Sequence, residues 1–426
     1  MKRVVVFAWV LALLAAPAFA QGKKKDKDKR GFVWDDRPTI VFGKNINVEF
    51  KGRALVEWRA FDPDQGEDLF HLRTARLGLK GKLTKHFSWE AEREVTGDDV
   101  AHLKAGDWKD VNLEWKTFKA ASVRGGRFKM PFGLEQTTGI SDLDFAYRAL
   151  GSTEIAPARD KGVMASGDLG HFNYEAGIFD DDGDNAKSNE PQFVAKGQDI
   201  NHLGPAFAAR VVGDVFRPLP LGKLRSANVG VAYTTADVPE GLNSLRAESV
   251  WGSNITKRVY VKGRRQRYGT QFEWTPGPAS IKAEWMQSRE QRKQQSNRDQ
   301  DLSDYIGTAW YVTGTWFITG EKKDNNIKVK HPLYKGGPGA IEVAARIEQL
   351  SFESASTSGP AFTNPRADHL LRNSDTVFTA GVNWTTSPWT RILINAIHED
   401  IEDPNRSPVT GTTSFWSGVL RLNIVF

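Results

Sequence analysis

Arginine and lysine recur at alternate positions among carboxylates in "VEFKGRALVEWRA" (48–60). Lys51, Arg53 and Arg59 share one parity with Glu49 and Glu57. Val48, Phe50, Gly52, Ala54, Val56, Trp58 and Ala60 hold the other. Arg76, Lys80, Arg210 and Arg346 fall on the polar parity of comparable stretches further along. A guanidinium stays charged and offers a planar fork of donors suited to phosphate or carboxylate oxygens. A row of such groups recruits anions, and sites that are individually weak also release them. The chemistry on offer is reversible electrostatic binding. Covalent catalysis has no comparable footing: there is no Gly-x-Ser-x-Gly elbow and no His-Glu-x-x-His, and the eight histidines are scattered. "DDDGDN" (180–185) looks like a calcium loop but has no Glu at the twelfth position of a suitable frame, so it reads as a solvated extracellular turn. Nothing points to a cofactor, a metal or a nucleic-acid partner.

The element that positions these residues is a strand whose faces differ. Seven apolar or small residues in period two, broken only by Leu55, exceed an edge strand of average length. They suit a membrane-spanning strand of about 9–11 residues with its ends. The same template predicts strands at 69–84, 86–96, 110–118, 120–130, 160–168, 170–179, 205–215 and 224–236. Others follow at 265–275, 279–290, 306–320, 339–352, 374–386, 389–399 and 413–426, which makes sixteen.

The connections alternate. "LTKH" (83–86), "FKA" (118–120), "DLG" (168–170), "PGP" (276–278) and "TSPW" (386–389) are short. Segments 131–159, 180–204, 237–264, 291–305, 353–373 and 400–412 are long and polar. Short turns at one end and long loops at the other describe an all-β, up-and-down antiparallel barrel in the outer membrane, with lipid as its surroundings. Segment 321–339 interrupts the scheme as a long periplasmic turn. Trp58, Trp89, Trp115, Trp274, Trp285, Trp384 and Trp416 fall on the outward parity, where an indole meets the headgroup region. The closing "GVLRLNIVF" is a last strand, and its terminal Phe426 resembles the signal recognised by the barrel-insertion machinery.

The compartment agrees. Residues 1–20 read as a signal peptide, with Lys2 and Arg3, an apolar run and an Ala-x-Ala site before Gln21. No later run of about eighteen apolar residues exists, which excludes membrane-spanning helices but not strands. There is no cysteine, so a large core or a lipid environment must take the place of disulfides. Of the formal charge of +6, two units belong to the signal and four to "QGKKKDKDKR" (21–30). Residues 21–40 read as a charged periplasmic tail and 41–426 as the barrel. The barrel itself is near neutral, so any anion preference must come from where its arginines lie.

"FHLRTARLGLKGKLTKHFSWEAEREV" (70–95), "VNLEWKTFKAASVRGGRFKMPFGLEQ" (111–136) and "APARDKGVMASGDLGHFNYEAGIFDDDGDN" (156–185) together resemble the phosphate-selective porin O and P family of Gram-negative outer membranes. "GTWFITGEKK" (314–323) and "GGPGAIEVAARIEQLSF" (336–352) extend the likeness over most of the chain. The resemblance implies a sixteen-stranded homotrimeric porin whose third extracellular loop folds inward, and whose lumenal arginines and lysines pass phosphate or polyphosphate. It adds Arg124, Arg127 and Lys129 of the family-like fifth strand to the candidates, and Arg148, Arg159 and Lys161 beside the inward loop. By strict alternation Arg124 opposes Arg127 and Lys129, unless a bulge at Gly125-Gly126 realigns them.

Two readings of these cations stay open. They form a dedicated anion track, or they pair with Glu49, Glu57, Glu90, Glu92, Glu342 and Glu348 and solvate the wall of a general pore. Facing mid-bilayer is excluded for them by a cost of roughly 2–4 kcal/mol each. A barrel-anchored receptor or adhesin working through loops 237–264 and 353–373, and a soluble periplasmic β-protein, are the alternatives of other classes. A plugged transporter needs a longer chain.

Overall fold

A computed structural model describes residues 30–34, 37–63, 70–97, 106–186, 204–217, 222, 226–324, 327–354 and 364–426. The expected signal peptide, and the middle of the long segments 180–204 and 353–373, lie outside the described residues. Two short strands, β1 (Gly31–Trp34) and β2 (Pro38–Gly43), come first. Then follow β3 (Ile46–Asp62), β4 (Phe70–Lys82), β5 (Phe87–Glu94), β6 (Trp108–Lys116), β7 (Ser122–Lys129), β8 (Arg159–Asp168), β9 (Phe172–Phe179) and β10 (Ala206–Gly213). The second half holds β11 (Ala227–Gly241), β12 (Val261–Trp274), β13 (Ala279–Arg292), β14 (Leu302–Phe317), β15 (Ala340–Ser354), β16 (Asn373–Ser387), β17 (Thr390–Ile401) and β18 (Ser414–Val425). From β3 onward each strand pairs antiparallel with the next. β18 returns to β3, from Trp416↔Asp62 to Val425↔Arg53, and closes a sixteen-stranded barrel. Each predicted segment overlaps one barrel strand, and the long turn between β14 and β15 is present.

The burial pattern is that of a protein solvated by lipid. Leu77, Ile178, Val231, Phe378 and Ile394 are exposed on the outside, while Arg265, Arg267, Arg292 and Arg421 are fully buried inside. Trp58, Trp115, Trp285 and Trp416 join the outer surface. In water this would be inside out; in a bilayer the alternation puts each residue type in its preferred medium.

The expected N-terminal tail needs correction, because part of it is a hairpin. β1 pairs with β2, and β2 pairs with β3 at Thr39↔Glu49 and Ile40↔Val48. This continues the edge of β3 just past the end of β18. There Phe426 and Gly52 exchange backbone bonds of 2.9 and 3.0 Å. The hairpin's sequence carries its own cause: β-branched and aromatic runs, "FVW" and "TIVF", flank a polar break with Pro38.

Among the described residues, two long connections occupy the lumen. One is the loop between β7 and β8; the other, 242–260, joins β11 to β12. Phe132, Phe145, Tyr147, Leu150 and Ile155 of the first share an apolar core with Leu245, Val250, Trp251 and Ile255 of the second. Met286, Leu350, Val377, Ile397 and Val419 of the inner wall complete it. At the level of this core the β13–β18 side is filled, and the larger opening lies on the side of β3–β9.

Candidate functional site

The loop from 130 to 158 is fastened to the far wall through its own backbone. Two helical turns in it, Leu134–Thr137 and Leu150–Glu154, start with N–H groups that need acceptors. Glu284 of β13 accepts from Leu134 N and, at 3.0 Å, from Glu135 N; Glu348 of β15 accepts from Leu150 N at 2.6 Å. Carboxylates suit the positive end of a helical turn. Further along, Asn395 accepts from Ala146 N at 2.8 Å, and Arg391 donates to Leu143 O at 2.8 Å. Asp144 is gripped by Lys282 of β13 at 2.9 Å and by Lys323 of the long periplasmic turn at 2.6 Å. Burial alone would raise its carboxyl, but the two ammonium groups overcome this and hold it well below the usual carboxylate range.

Between this loop and the wall of β3–β9 lies a cavity of about 1210 Å³. Eleven arginines and lysines border it against seven aspartates and glutamates. Most of the cations are paired. Arg53 donates to Glu92 at 3.1 Å, Arg76 to Glu94 at 2.6 Å and Arg124 to Glu114 at 3.1 Å. Arg127 donates to Asp184 at 2.5 Å and Arg159 to Asp110 at 2.8 Å. Lys129 and Arg148 are held differently, by carbonyl oxygens. The Lys129 ammonium donates to Gln136 O at 2.7 Å, Thr137 O at 3.2 Å and Thr138 O at 2.6 Å. Arg148 donates to Thr138 O at 2.8 Å and to Glu135 O. Carbonyls orient a cation without cancelling its charge. Burial lowers the Arg148 guanidinium to about 10, so it remains charged at neutral pH.

A sequence model of the phosphate-selective porin O and P family matches residues 55–422. The chain belongs to that family. It is an outer-membrane porin of a Gram-negative bacterium. No curated protein sequence matches it. Its fold is shared with an anion-selective porin from Comamonas acidovorans, at 13% identity and a TM-score of 0.55, covering 89% of this chain and 99% of that one. The outer membrane channel DcaP of Acinetobacter baumannii is similar at 10% identity and a TM-score of 0.54, with 93% and 100% covered. A trimer form of OmpT from Vibrio cholerae is similar at 14% identity and a TM-score of 0.52, with 90% and 100% covered.

In this porin the cavity gathers seven of the thirteen candidate residues: Arg53, Arg76, Arg124, Arg127, Lys129, Arg148 and Arg159. The other six lie elsewhere. Lys51 bridges Glu90 and Glu92, and Lys80 faces Glu49 at 3.6 Å. Arg210 is spent between Glu175 at 3.1 Å and Gln271 at 3.0 Å. Arg59 is buried beneath the second inward loop, bound to Glu57 and 4.5 Å from the Trp251 ring. Arg346 is buried beneath the first, bonded to Glu135 at 3.1 Å and stacked on Phe145 and Tyr147. Lys161 lies outside the cavity opposite Asp180 at 3.5 Å.

Four basic residues of the porin's cavity escaped parity reasoning: Arg73, Lys109, Arg246 and Arg258. Arg73 is the extra residue of an irregularity where Leu55 pairs Thr74 but Val56 pairs Leu72. Lys109 sits in a similar shift between Ala91 and Arg93. An inserted residue reverses the side to which strict alternation assigns it. Arg246 and Arg258 arrive on loop 242–260, whose Val250 N–H donates to Glu399 and whose Trp251 donates to Ser417. That loop lies within segment 237–264, which the adhesin alternative placed outside, and it turns into the barrel instead.

Two local readings change. "DDDGDN" is no solvated turn: Asp182 is fully buried and accepts from Arg265 at 2.7 Å and from Arg267. Pairing through Gly125-Gly126 runs without a register shift on both sides, so no bulge realigns Arg127 and Lys129. Gly126 instead adopts φ +126°, and a Cβ there would lie 2.2 Å from Val111 O. The substitution Gly126→Ala is expected to cost about 1–3 kcal/mol. A lower temperature for the heat-induced mobility shift in gels would register it, with Gly125→Ala, which has open space, as control.

Proposed function

We propose that this porin prefers anions and that its basic cavity is their path, with small oxyanions of the phosphate class as the favoured solutes. The observation that supports this most is the placement of Lys129 and Arg148, two cations held by carbonyl oxygens and bordering the cavity where loop meets wall. Their fields are not closed off by a bonded carboxylate, whereas those of the paired arginines are largely dipolar. The paired arginines supply further donors that an oxyanion can share while the pairs exchange partners. Transport in this reading is passive, by electrostatic selection without covalent chemistry.

A second reading, a general pore, is favoured by the number of wall arginines that already hold a carboxylate. The two diverge in a planar bilayer. Across a potassium chloride gradient the anion reading expects a reversal potential of the sign set by chloride, and chloride current blocked by phosphate at concentrations well below that of chloride. A weakly selective or cation-preferring current without block supports the general pore. We also propose a homotrimer, in line with the trimer form of the Vibrio cholerae fold relative. Native mass measurement in detergent tests it.

A further inference from the structure

The inward loop also places a negative charge where the basic cavity ends. A second cavity, about 470 Å³, opens toward the end of the barrel that carries the short turns. Ser141 and Asp142 border it together with Lys282, Lys323 and Arg391, whereas Gly139, Ile140 and Leu143 border the larger cavity. Residues 139–143 are therefore the partition between the two spaces. Asp142 is solvent-exposed although it lies inside the barrel, as a residue lining a watery passage must be.

Its carboxylate forms no ion pair among the described residues. The neighbouring cations are engaged elsewhere: Lys282 and Lys323 with Asp144, Arg391 with Glu342. Nor does it hold the loop together, since the local turn is made by Asp142 N donating to Gly139 O at 3.0 Å. The surrounding protein raises the carboxyl from its usual value, against the pull of Arg53, Arg391, Lys129 and Arg148. An unpaired acid at the partition of a basic pore has no evident structural task.

We propose that Asp142 is a valence filter, a specificity-determining residue that slows doubly charged anions relative to singly charged ones. The proposal rests on the anion-channel reading given above. Every added unit of solute charge meets one added unit of repulsion at the partition. At about 6 Å in water that repulsion slows passage about threefold, and about tenfold where the walls lower the effective dielectric.

The test compares sulfate with chloride permeability in planar bilayers. Asp142→Asn is nearly isosteric and is expected to raise the sulfate-to-chloride ratio about three- to tenfold. The chain has no cysteine, so Asp142→Cys offers a single thiol that can be modified in the folded barrel. An anionic methanethiosulfonate should bring the ratio back down, and a cationic one should raise it. An unchanged ratio in Asp142→Asn, or currents through Asp142→Cys that ignore both reagents, would overturn the proposal. Labelling after folding compares one protein with itself, so a folding defect cannot imitate either result. The wild-type reversal potential reports separately on the anion reading. A cation-preferring wild type would sink that reading, while the response at position 142 judges the filter.

Discussion

With Lys129 and Arg148 both replaced by glutamine, chloride preference over potassium is expected to fall about tenfold or more, read as a shift of the reversal potential toward zero. The argument is local. Both cations touch backbone oxygens of the same short stretch, 135–138, and both border the large cavity. Glutamine keeps a donor for those carbonyls and removes only the charge, so the loop should stay where it is. The charge-conserving change Arg148→Lys separates charge from geometry. If it preserves selectivity while Arg148→Gln loses it, the charge is what matters. If both behave alike, the guanidinium's fork of bonds matters instead. An unchanged reversal potential in the double variant would remove the main support for an anion path at this place.

The second large effect concerns Asp144. Asp144→Ala leaves the Lys282 and Lys323 ammonium groups facing one another without their shared carboxylate. Breaking a buried pair by removing one partner costs about 3–5 kcal/mol. Lys323 keeps Glu342, which limits the loss on that side. The barrel's hydrogen-bonded wall is untouched, so the expected result is a folded porin with a loosened inward loop. Single-channel records should show larger and noisier conductance, while the heat-induced mobility shift remains. Acid should imitate the substitution only at extremes. The folded carboxyl titrates below its ordinary value of 3.8, so its contribution is fully present above that value and fades as pH falls further, through the folded value. Conductance noise attributable to this contact should therefore stay flat from neutral pH to about pH 4. A rise in noise near pH 6 would locate the fastening elsewhere.

The wall of the barrel was legible because a bilayer enforces alternation. "VEFKGRALVEWRA" could announce β3 since every lipid-facing position must be apolar, and the alternation of long and short connections gave the up-and-down order. What alternation cannot convey is an inserted residue, and Arg73 and Lys109 were lost that way. It also cannot say what a lumenal charge is bonded to. Arg346 and Arg53 occupy the same parity, yet the first fastens a loop and the second borders open space, because loops 130–158 and 242–260 cover one half of the wall and leave the other bare. The hairpin of β1 and β2 was hidden by the charged run before it, which drew the chain as far as residue 40 into the tail. Asp182 was misread for a similar reason. Four acids among glycine and asparagine look solvated until the arginine partners of Asp182, some eighty residues away, are brought in by the fold.

The core inside the barrel changes what its later strands are. β16, β17 and β18 carry Val377, Leu393, Ile397, Phe415 and Val419 toward the lumen, while Phe378, Ile394, Trp416 and Leu420 face out. Their lumenal faces thus mix apolar residues with Asp375, Arg391, Asn395, Glu399 and Arg421, whereas that of β3 is mostly charged, with Lys51, Arg53, Glu57 and Arg59. Before insertion, when neither lipid nor the inward loops cover them, the apolar residues on both faces of residues 373–425 are open to contact with other copies of the chain. The filling that narrows the finished pore thus also adds to the apolar surface that the unfolded porin must keep covered until it inserts.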